Sequence, residues 1–189
     1  MTTKNKSFKK YFKRSDSNSR GFSLIETLVA ITILLVSVVG PISLISDSLH
    51  KIYYAKDKIT AISLMQEGVE MVRQVRDTNM LTASPWLTNL SPGDYMVDVG
   101  SFVAGGTPSS FVIPCASCAG VLQPVYFDSM TGLYRQSITG AHTQFSRIIS
   151  IDNTGLPAKE SRVTVRVGWS TGGNTGSVLV KEYLFDWAS

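Results

Sequence analysis

The stretch that decides the fold is Gly21-Phe22-Ser23-Leu24-Ile25-Glu26, which opens an apolar run from Phe22 to Ile45. This run contains 24 residues. A helix needs roughly 20 to cross a bilayer. Its Leu, Ile and Val content favours insertion, and the basic flank before it should stay in the cytoplasm. We therefore expect a single helix that spans the inner membrane, with the rest of the chain on the far side.

Glu26 is the only ionisable residue of this run. A carboxylate buried in the bilayer without a partner costs about 2–3 kcal/mol or more. Residues four apart are separated by about one helical turn, so a positive charge created at Phe22 would lie within reach of Glu26. A paired charge in a low-dielectric helix bundle costs much less than an unpaired one. The position of Glu26 therefore predicts a cationic partner close to the start of the run.

The positive charge of the chain is concentrated before the apolar run. The whole chain has a net charge of +4, and residues 1–21 alone carry +6, which leaves −2 for the remainder. We expect this polar tail to be disordered. The high isoelectric point therefore does not indicate a nucleic-acid-binding body. The charged residues of the tail are Lys4, Lys6, Lys9, Lys10, Lys13, Arg14 and Arg20, with Asp16 as the one acid.

Two ordinary interpretations of the N-terminal segment explain only part of it. A secretory signal has an apolar core of about 7–15 residues that ends at a small-x-small cleavage site. The run here is longer, and no Ala-x-Ala motif closes it. A plain single-pass anchor explains the length and the orientation. It does not explain why Gly21 and Phe22 mark the start of the run or why Glu26 lies so early in it.

The residues from Gly21 to Ala30, GFSLIETLVA, closely resemble the processing motif of type IV prepilins and type II secretion pseudopilins. The resemblance implies that a prepilin peptidase cuts between Gly21 and Phe22 and methylates the new amine of Phe22. Glu26 could pair with the new Phe22 amine of its own chain or with that of a neighbouring subunit. The resemblance favours the neighbouring subunit, in which case the pair sets the axial register of a filament. The same cut would remove the +6 leader, which would be hard to bury in a filament core.

Gly40 and Pro41 interrupt the apolar run. Proline lacks an N–H and clashes with the preceding turn, so it kinks or locally opens a helix. Such a kink is tolerated in a membrane helix. In the pilin family this part of the helix often carries Gly and Pro and can unwind in filaments. We predict a helix kink at Gly40 and Pro41.

An amphipathic pattern continues beyond the membrane to about Asp77. Apolar residues recur every three or four positions, which is typical of a helix with one buried face. The residues from Leu64 to Glu70, followed by Arg73 and Arg76, also resemble the corresponding helix of minor pilins and pseudopilins. The residues assigned to the apolar face are Leu49, Ile52, Ile59, Ile62, Met65, Val69 and Val72.

The remainder of the chain has the composition of a β-sheet. Strands are predicted around 95–99, 124–127, 133–134, 145–151, 162–169 and 177–185, with a hairpin loop over 128–132 and a turn over 171–176. Val163, Val165, Val167 and Trp169 alternate on one face of the clearest strand. The fold class is therefore α+β, with a long N-terminal helix packed on an antiparallel sheet, as in pilins. The expected domains are a leader 1–21, a membrane or filament-core helix 22–46, an amphipathic helix 47–80 and a β-rich body 81–189.

The two cysteines, Cys115 and Cys118, lie in a Pro- and Gly-rich loop. A small local disulfide is the favoured interpretation, because both residues follow the apolar run and would share an oxidising compartment. A redox motif normally opens a helix in a βαβ setting, and a zinc site needs more ligands, so free thiols are the main alternative. We expect no metal and no cofactor.

The function expected from these features is structural. His142 has no triad partner in the sequence order, and there is no phosphate loop or paired carboxylate, so we expect no catalytic residue and no enzyme. The resemblance implies a minor pilin or pseudopilin of a type IV pilus, competence or type II secretion filament, with other pilin subunits as partners. It also implies a start in the inner membrane and a later place in a cell-surface or periplasmic filament.

A membrane-anchored adhesion or DNA-uptake module is the alternative. Nucleic-acid binding would require a basic face on a body whose net charge is −2. Four arginines of the body could form such a face if the fold brought them together. They are Arg135, Arg147, Arg162 and Arg166.

Overall fold

The computed structural model describes residues 21–137, 140–157 and 159–187, except for the side chain of Ser43. The expected leader lies almost entirely outside the described residues. The chain divides into two compact units, of which the first ends at Ser46 and the second is Asp47–Ser189. The two units are described separately below.

One long helix, α1 (Leu24–Leu81), begins just after the Gly21-Phe22 pair and is assigned without a break through Pro41. The kink at Gly40 and Pro41 therefore stays a prediction. Three hydroxyls of the apolar segment donate to backbone carbonyls three residues earlier, at 2.8–2.9 Å. Hydroxyls that bond to their own helix lose little on entering lipid. These bonds join Thr27 to Leu24, Thr32 to Val29 and Ser37 to Leu34.

The second unit contains seven antiparallel strands. The longest strands, β5, β6 and β7, form a meander in which β5 pairs with β6 and β6 pairs with β7. On its other edge β5 pairs with β3 and then with β1. Strand β2 pairs with β1, and β4 pairs with β3. The bounds are β1 (Gly93–Val97), α2 (Val99–Val103), α3 (Pro108–Phe111), β2 (Val112–Pro114), β3 (Gln123–Asp128), β4 (Leu133–Arg135), β5 (Ala141–Asp152), β6 (Glu160–Thr171) and β7 (Asn174–Phe185).

The body half of α1 packs on one face of this sheet, which confirms the predicted α+β class. Gly68 allows the closest approach, because a Cβ added there would lie 3.0 Å from Val165 Cγ1 and 3.3 Å from Ile149 Cδ1. The alternation predicted for β6 is also confirmed, since its four apolar side chains are all buried. The buried apolar side chains of the helix are Ala61, Leu64, Val69, Met71, Val72 and Val75, and those of β6 are Val163, Val165, Val167 and Trp169.

The predicted apolar face of α1 is wrong at its N-terminal end. Leu49, Ile52 and Ile59 are exposed by 48%, 60% and 66%, whereas Asp57, predicted to be a polar surface residue, is buried. The physical reason is the position of the sheet. Asp57 accepts hydrogen bonds from Gln144 Nε2 at 2.9 Å and from the hydroxyl of Thr171, so the helix meets the sheet through polar groups here.

The end of α1 and the last turn also differ from the predictions. The helix ends at Leu81 rather than near Asp77, and the side chain of Asn79 donates to Trp86 O at 3.2 Å and Thr88 O at 2.7 Å. These bonds hold the following loop against the helix.

The turn between β6 and β7 contains only Gly172 and Gly173, with φ of +56° and +85°. Two consecutive positive φ angles suit glycine and close a two-residue hairpin, so the residues from Asn174 onward join β7.

Candidate processing and assembly site

The Gly21-Phe22 peptide bond lies in an accessible stretch. Gly21, Phe22 and Ser23 precede the first turn of α1 and are exposed. No atom lies within 4 Å of a Cβ placed on Gly21. A peptidase needs an uncovered backbone, and this short segment is exposed directly before the helix.

Glu26 lies in the first turn of α1. Its side chain is exposed, and no residue in the described parts of the chain forms a hydrogen bond or ion pair with it. A carboxylate at a helix N-terminus is favoured by the partial positive charge of the first turn. That interaction does not neutralise a full charge in lipid, so the carboxylate is available for a cation supplied from outside the subunit. The pairing with a Phe22 amine stays a prediction.

The apolar segment that follows Glu26 is exposed. Helix α1 is long and apolar enough to cross a membrane, and none of its most apolar window is buried. Exposed large aliphatic side chains lie on all sides of the helix, including Leu28, Val29, Ile33 and Leu34. A helix that is apolar on every side is typical of a membrane span or of a bundle core. This segment therefore fits a membrane anchor.

A disulfide joins Cys115 to Cys118, whose Cα atoms are 5.4 Å apart. Strand β1 holds this loop at both ends. Asp94 accepts the N–H of Cys115 on its backbone oxygen at 2.8 Å and the N–H of Gly120 on its carboxylate at 2.5 Å. Arg166 donates to the carbonyl of Gly120. The loop is therefore fixed on the face of the sheet opposite α1.

A buried arginine ties the helix to the sheet, and the sequence patterns did not reveal it. Arg147 of β5 is fully buried. Its guanidinium donates to Glu67 Oε1 at 2.6 Å, to Leu64 O at 2.9 Å and to Val97 O at 3.2 Å. It also donates to Gln136 Oε1 at 3.1 Å. Alternation places Arg147 on the helix side of β5, and this was the only signal that could have marked it as a core residue.

A second ion pair closes the end of the sheet beside α2. Arg135 donates through Nε and Nη2 to the two carboxylate oxygens of Asp98, at 2.7 and 2.9 Å. Asp98 also caps α2 by accepting the N–H of Gly100 at 3.1 Å. Burial acts to raise the pKa of Asp98, but the hydrogen bonds and the charge of Arg135 outweigh it and hold that pKa below its usual value of 3.8.

This ion pair predicts a pH dependence of stability. A carboxyl whose pKa is lowered by folding stabilises the fold above its unfolded pKa, and this contribution is lost as the pH falls through the folded pKa. Asp98→Asn should therefore cost about 1–2 kcal/mol in free energy of unfolding at neutral pH. Below about pH 4 the difference between wild type and variant should shrink. Urea unfolding from pH 7 to pH 3 measures it.

Asp47→Asn, at an exposed position of α1, controls for the loss of one negative charge. A difference between Asp98→Asn and wild type that stays constant down to pH 3 would show that the charge of Asp98 contributes nothing.

The four arginines considered for a DNA-binding face do not come together. Arg147 is buried on the helix side of the sheet and faces Glu67. Arg135 pairs with Asp98, and Arg162 pairs with Asp152. Arg162 and Arg166 lie on the opposite face of the sheet, where Arg166 donates to the carbonyl of Gly120. A continuous basic surface built from these residues is therefore absent.

Comparison with known families identifies the N-terminal segment. The family model described as the prokaryotic N-terminal methylation motif matches residues 16–40. This motif is the signature of type IV prepilins and pseudopilins, and proteins with it are structural subunits rather than enzymes. The chain therefore carries a prepilin-type N-terminus, which supports a type IV pilin-like protein. No curated protein and no solved structure matches the chain significantly.

Proposed function

We propose that this chain is a structural subunit of a type IV pilus, competence or type II secretion filament, as a minor pilin or pseudopilin. The observation that carries the proposal is the methylation motif over residues 16–40, which ends in an apolar helix with one early carboxylate. A prepilin peptidase cuts between Gly21 and Phe22 and methylates Phe22. The mature chain then consists of the membrane or filament helix 22–46, the amphipathic helix 47–80 and the body 81–189.

The proposed role of Glu26 is to pair with the Phe22 amine of a neighbouring subunit. The part of the chain that the structure describes presents no cation to Glu26, which supports a partner from another subunit. Cutting also discards the +6 leader, whose charge would oppose helix packing in a low-dielectric core. The subunit first lies in the inner membrane with its body outside the cytoplasm. The disulfide of the body supports that side, because disulfides persist in oxidising compartments.

Removal of the carboxylate at position 26 tests this function. Glu26→Ala should be processed normally but should enter filaments at least about tenfold less than wild type. Breaking a buried ion pair typically costs about 3–5 kcal/mol, because the other charge is left unpaired. Immunoblots of sheared filaments, compared with membrane fractions of cells that hold the assembly machinery, measure incorporation.

Glu70→Ala is the matched control for this test. Glu70 is an exposed acid on the body half of the same helix, paired with Arg73 at 3.3 Å. Its loss should leave incorporation unchanged. Equal incorporation of Glu26→Ala and wild type would contradict the intersubunit pair, and loss of processing would show that Glu26 acts earlier than assembly.

A further inference from the structure

Strand β7 forms one edge of the sheet, and its open side is long and regular. All twelve of its residues pair with β6 in one unbroken register, from Glu160↔Phe185 to Thr171↔Asn174. No other described strand pairs with β7. The strand contains no proline and no bulge. Proline and bulges are two of the devices that stop an edge from pairing with another chain, and β7 has neither. Its charged residues are Lys181, which is exposed, and Glu182, which is bound to Arg73. The row of backbone donors and acceptors on the open side is therefore regular, with one exposed positive charge along it.

The outer face of β7, which we define as Leu179, Lys181, Tyr183 and Phe185, faces away from α1. Its three large apolar side chains are exposed by 54%, 44% and 49%. Trp187, just past the strand, is exposed by 61%. The inner face already contributes its apolar residues to the core, through Leu184 and the partly buried Val178 and Val180. A strand that is apolar on both faces is expected where both faces are covered.

The same surface carries one cation without a described carboxylate partner. Lys181 forms no ion pair or hydrogen bond with the described residues. Arg166, opposite Leu179 on β6, is already engaged, because it donates to the carbonyl of Gly120 in the disulfide loop that β1 holds. Glu182, the acid next to Lys181, points to the other face and binds Arg73 at 2.6 Å. The exposed edge is therefore apolar with a positive centre.

We propose that β7 is a docking strand for an extended segment of another protein, a segment that alternates apolar residues and carries at least one carboxylate. The backbone of that segment would continue the sheet along the open edge. Its apolar side chains would cover the outer face of β7, and its acid would meet Lys181. Charge complementarity selects this partner over a second copy of β7, because self-pairing near the strand centre brings two Lys181 side chains together. The proposal does not depend on the filament function proposed above.

A peptide titration tests the proposal on the full chain in detergent. The probe is a fluorescent nine-residue peptide in which Val and Thr alternate around a central Glu. A second peptide has Lys at the centre, and a third has Pro next to the centre to remove a backbone donor. Anisotropy should show saturable binding of the Glu peptide, weaker binding of the Lys peptide and no binding of the Pro peptide.

Charge reversal on the strand gives the decisive comparison. Lys181→Glu should weaken binding of the Glu peptide by about tenfold, because attraction between opposite charges becomes repulsion. For the converse reason it should strengthen binding of the Lys peptide. Tyr183→Thr should weaken both peptides. Lys58→Glu, an identical charge change at an exposed site of α1, should change neither.

Four results would overturn the proposal. The first is the absence of binding by every peptide. The second is that the Glu peptide and the Lys peptide bind with equal affinity, both to wild type and to Lys181→Glu. The third is a dimer in sedimentation runs that Tyr183→Thr abolishes, because a second copy would then occupy the edge. Binding of anionic lipid vesicles that is lost in Lys181→Glu, without any peptide binding, would assign the surface to a membrane instead and would also contradict it.

Discussion

Gly21→Val is expected to leave the chain uncut, so that the full-length form accumulates in the membrane and no mature form appears. The resemblance to prepilins assigns Gly21 to the position before the cut, where a side chain would crowd the peptidase. The substitution should not disturb the fold. Gly21 lies outside α1, and an added Cβ would meet no atom within 4 Å. Loss of cleavage would therefore report on recognition by the peptidase, and electrophoretic mobility with mass spectrometry measures it.

Gly40→Val is the matched control for this substitution. Gly40 is also a glycine of the N-terminal unit with open space around an added Cβ. It lies well beyond the cut, so its replacement should leave cleavage complete. Normal cleavage of Gly21→Val would contradict the assigned site, and loss of cleavage in both variants would indicate a general defect in membrane insertion.

Arg147→Ala should destabilise the body by about 3–5 kcal/mol, the typical cost of breaking a buried ion pair by removing one partner. The variant leaves Glu67 without its cation and removes the donors to Leu64 O and Val97 O. Those groups join helix α1 to strands β1 and β5, so their loss weakens the main contact between helix and sheet. Urea unfolding of the full chain in detergent, followed by near-ultraviolet circular dichroism, measures the change.

Two further variants separate charge from packing at this position. Arg73→Ala removes an arginine that pairs with Glu182 in a partly exposed setting, and it should cost much less than Arg147→Ala. Arg147→Met with Glu67→Gln removes the charges together and should recover most of the lost stability. An Arg147→Ala midpoint equal to that of wild type would show that the buried network does not support the fold.

The sequence was most informative where one periodic signal dominated. Alternation at Val163, Val165 and Val167 predicted both the strand and its buried face, and the uniform apolar run after Glu26 predicted the exposed helix. Both signals follow from local spacing alone. The elements that the sequence missed are short: α2, α3 and β2 have five, four and three residues. Such lengths are too small for a period to be recognised.

The body-facing part of α1 shows why spacing alone was insufficient. Leu49, Ile52 and Ile59 continue the helical spacing of the apolar run, and this led to their assignment to the buried face. The sheet instead meets the helix from Asp57 onward through hydrogen bonds, so burial begins with a carboxylate. From the sequence, Arg147 was considered only as a surface cation, because its partner Glu67 is far away along the chain. Pairing between residues 80 positions apart leaves no local pattern in a single sequence.

The candidate processing site, unlike these long-range contacts, lies within one short segment of the sequence. Gly21, Phe22 and Glu26 could be assigned from the sequence because a peptidase reads a short linear segment, and the motif match over residues 16–40 rests on the same segment. The proposed partner of Glu26 is the Phe22 amine of a neighbouring subunit, which a single uncut chain cannot display.

The mass of the mature N-terminus tests the proposed processing most directly. The chain should be isolated from the membranes of cells that hold a prepilin peptidase, and its N-terminal peptide sequenced by mass spectrometry. The expected result is a chain that begins at Phe22 and carries one methyl group on its amine. A chain that still begins at Met1, begins at another residue or starts at an unmethylated Phe22 would contradict processing as a prepilin.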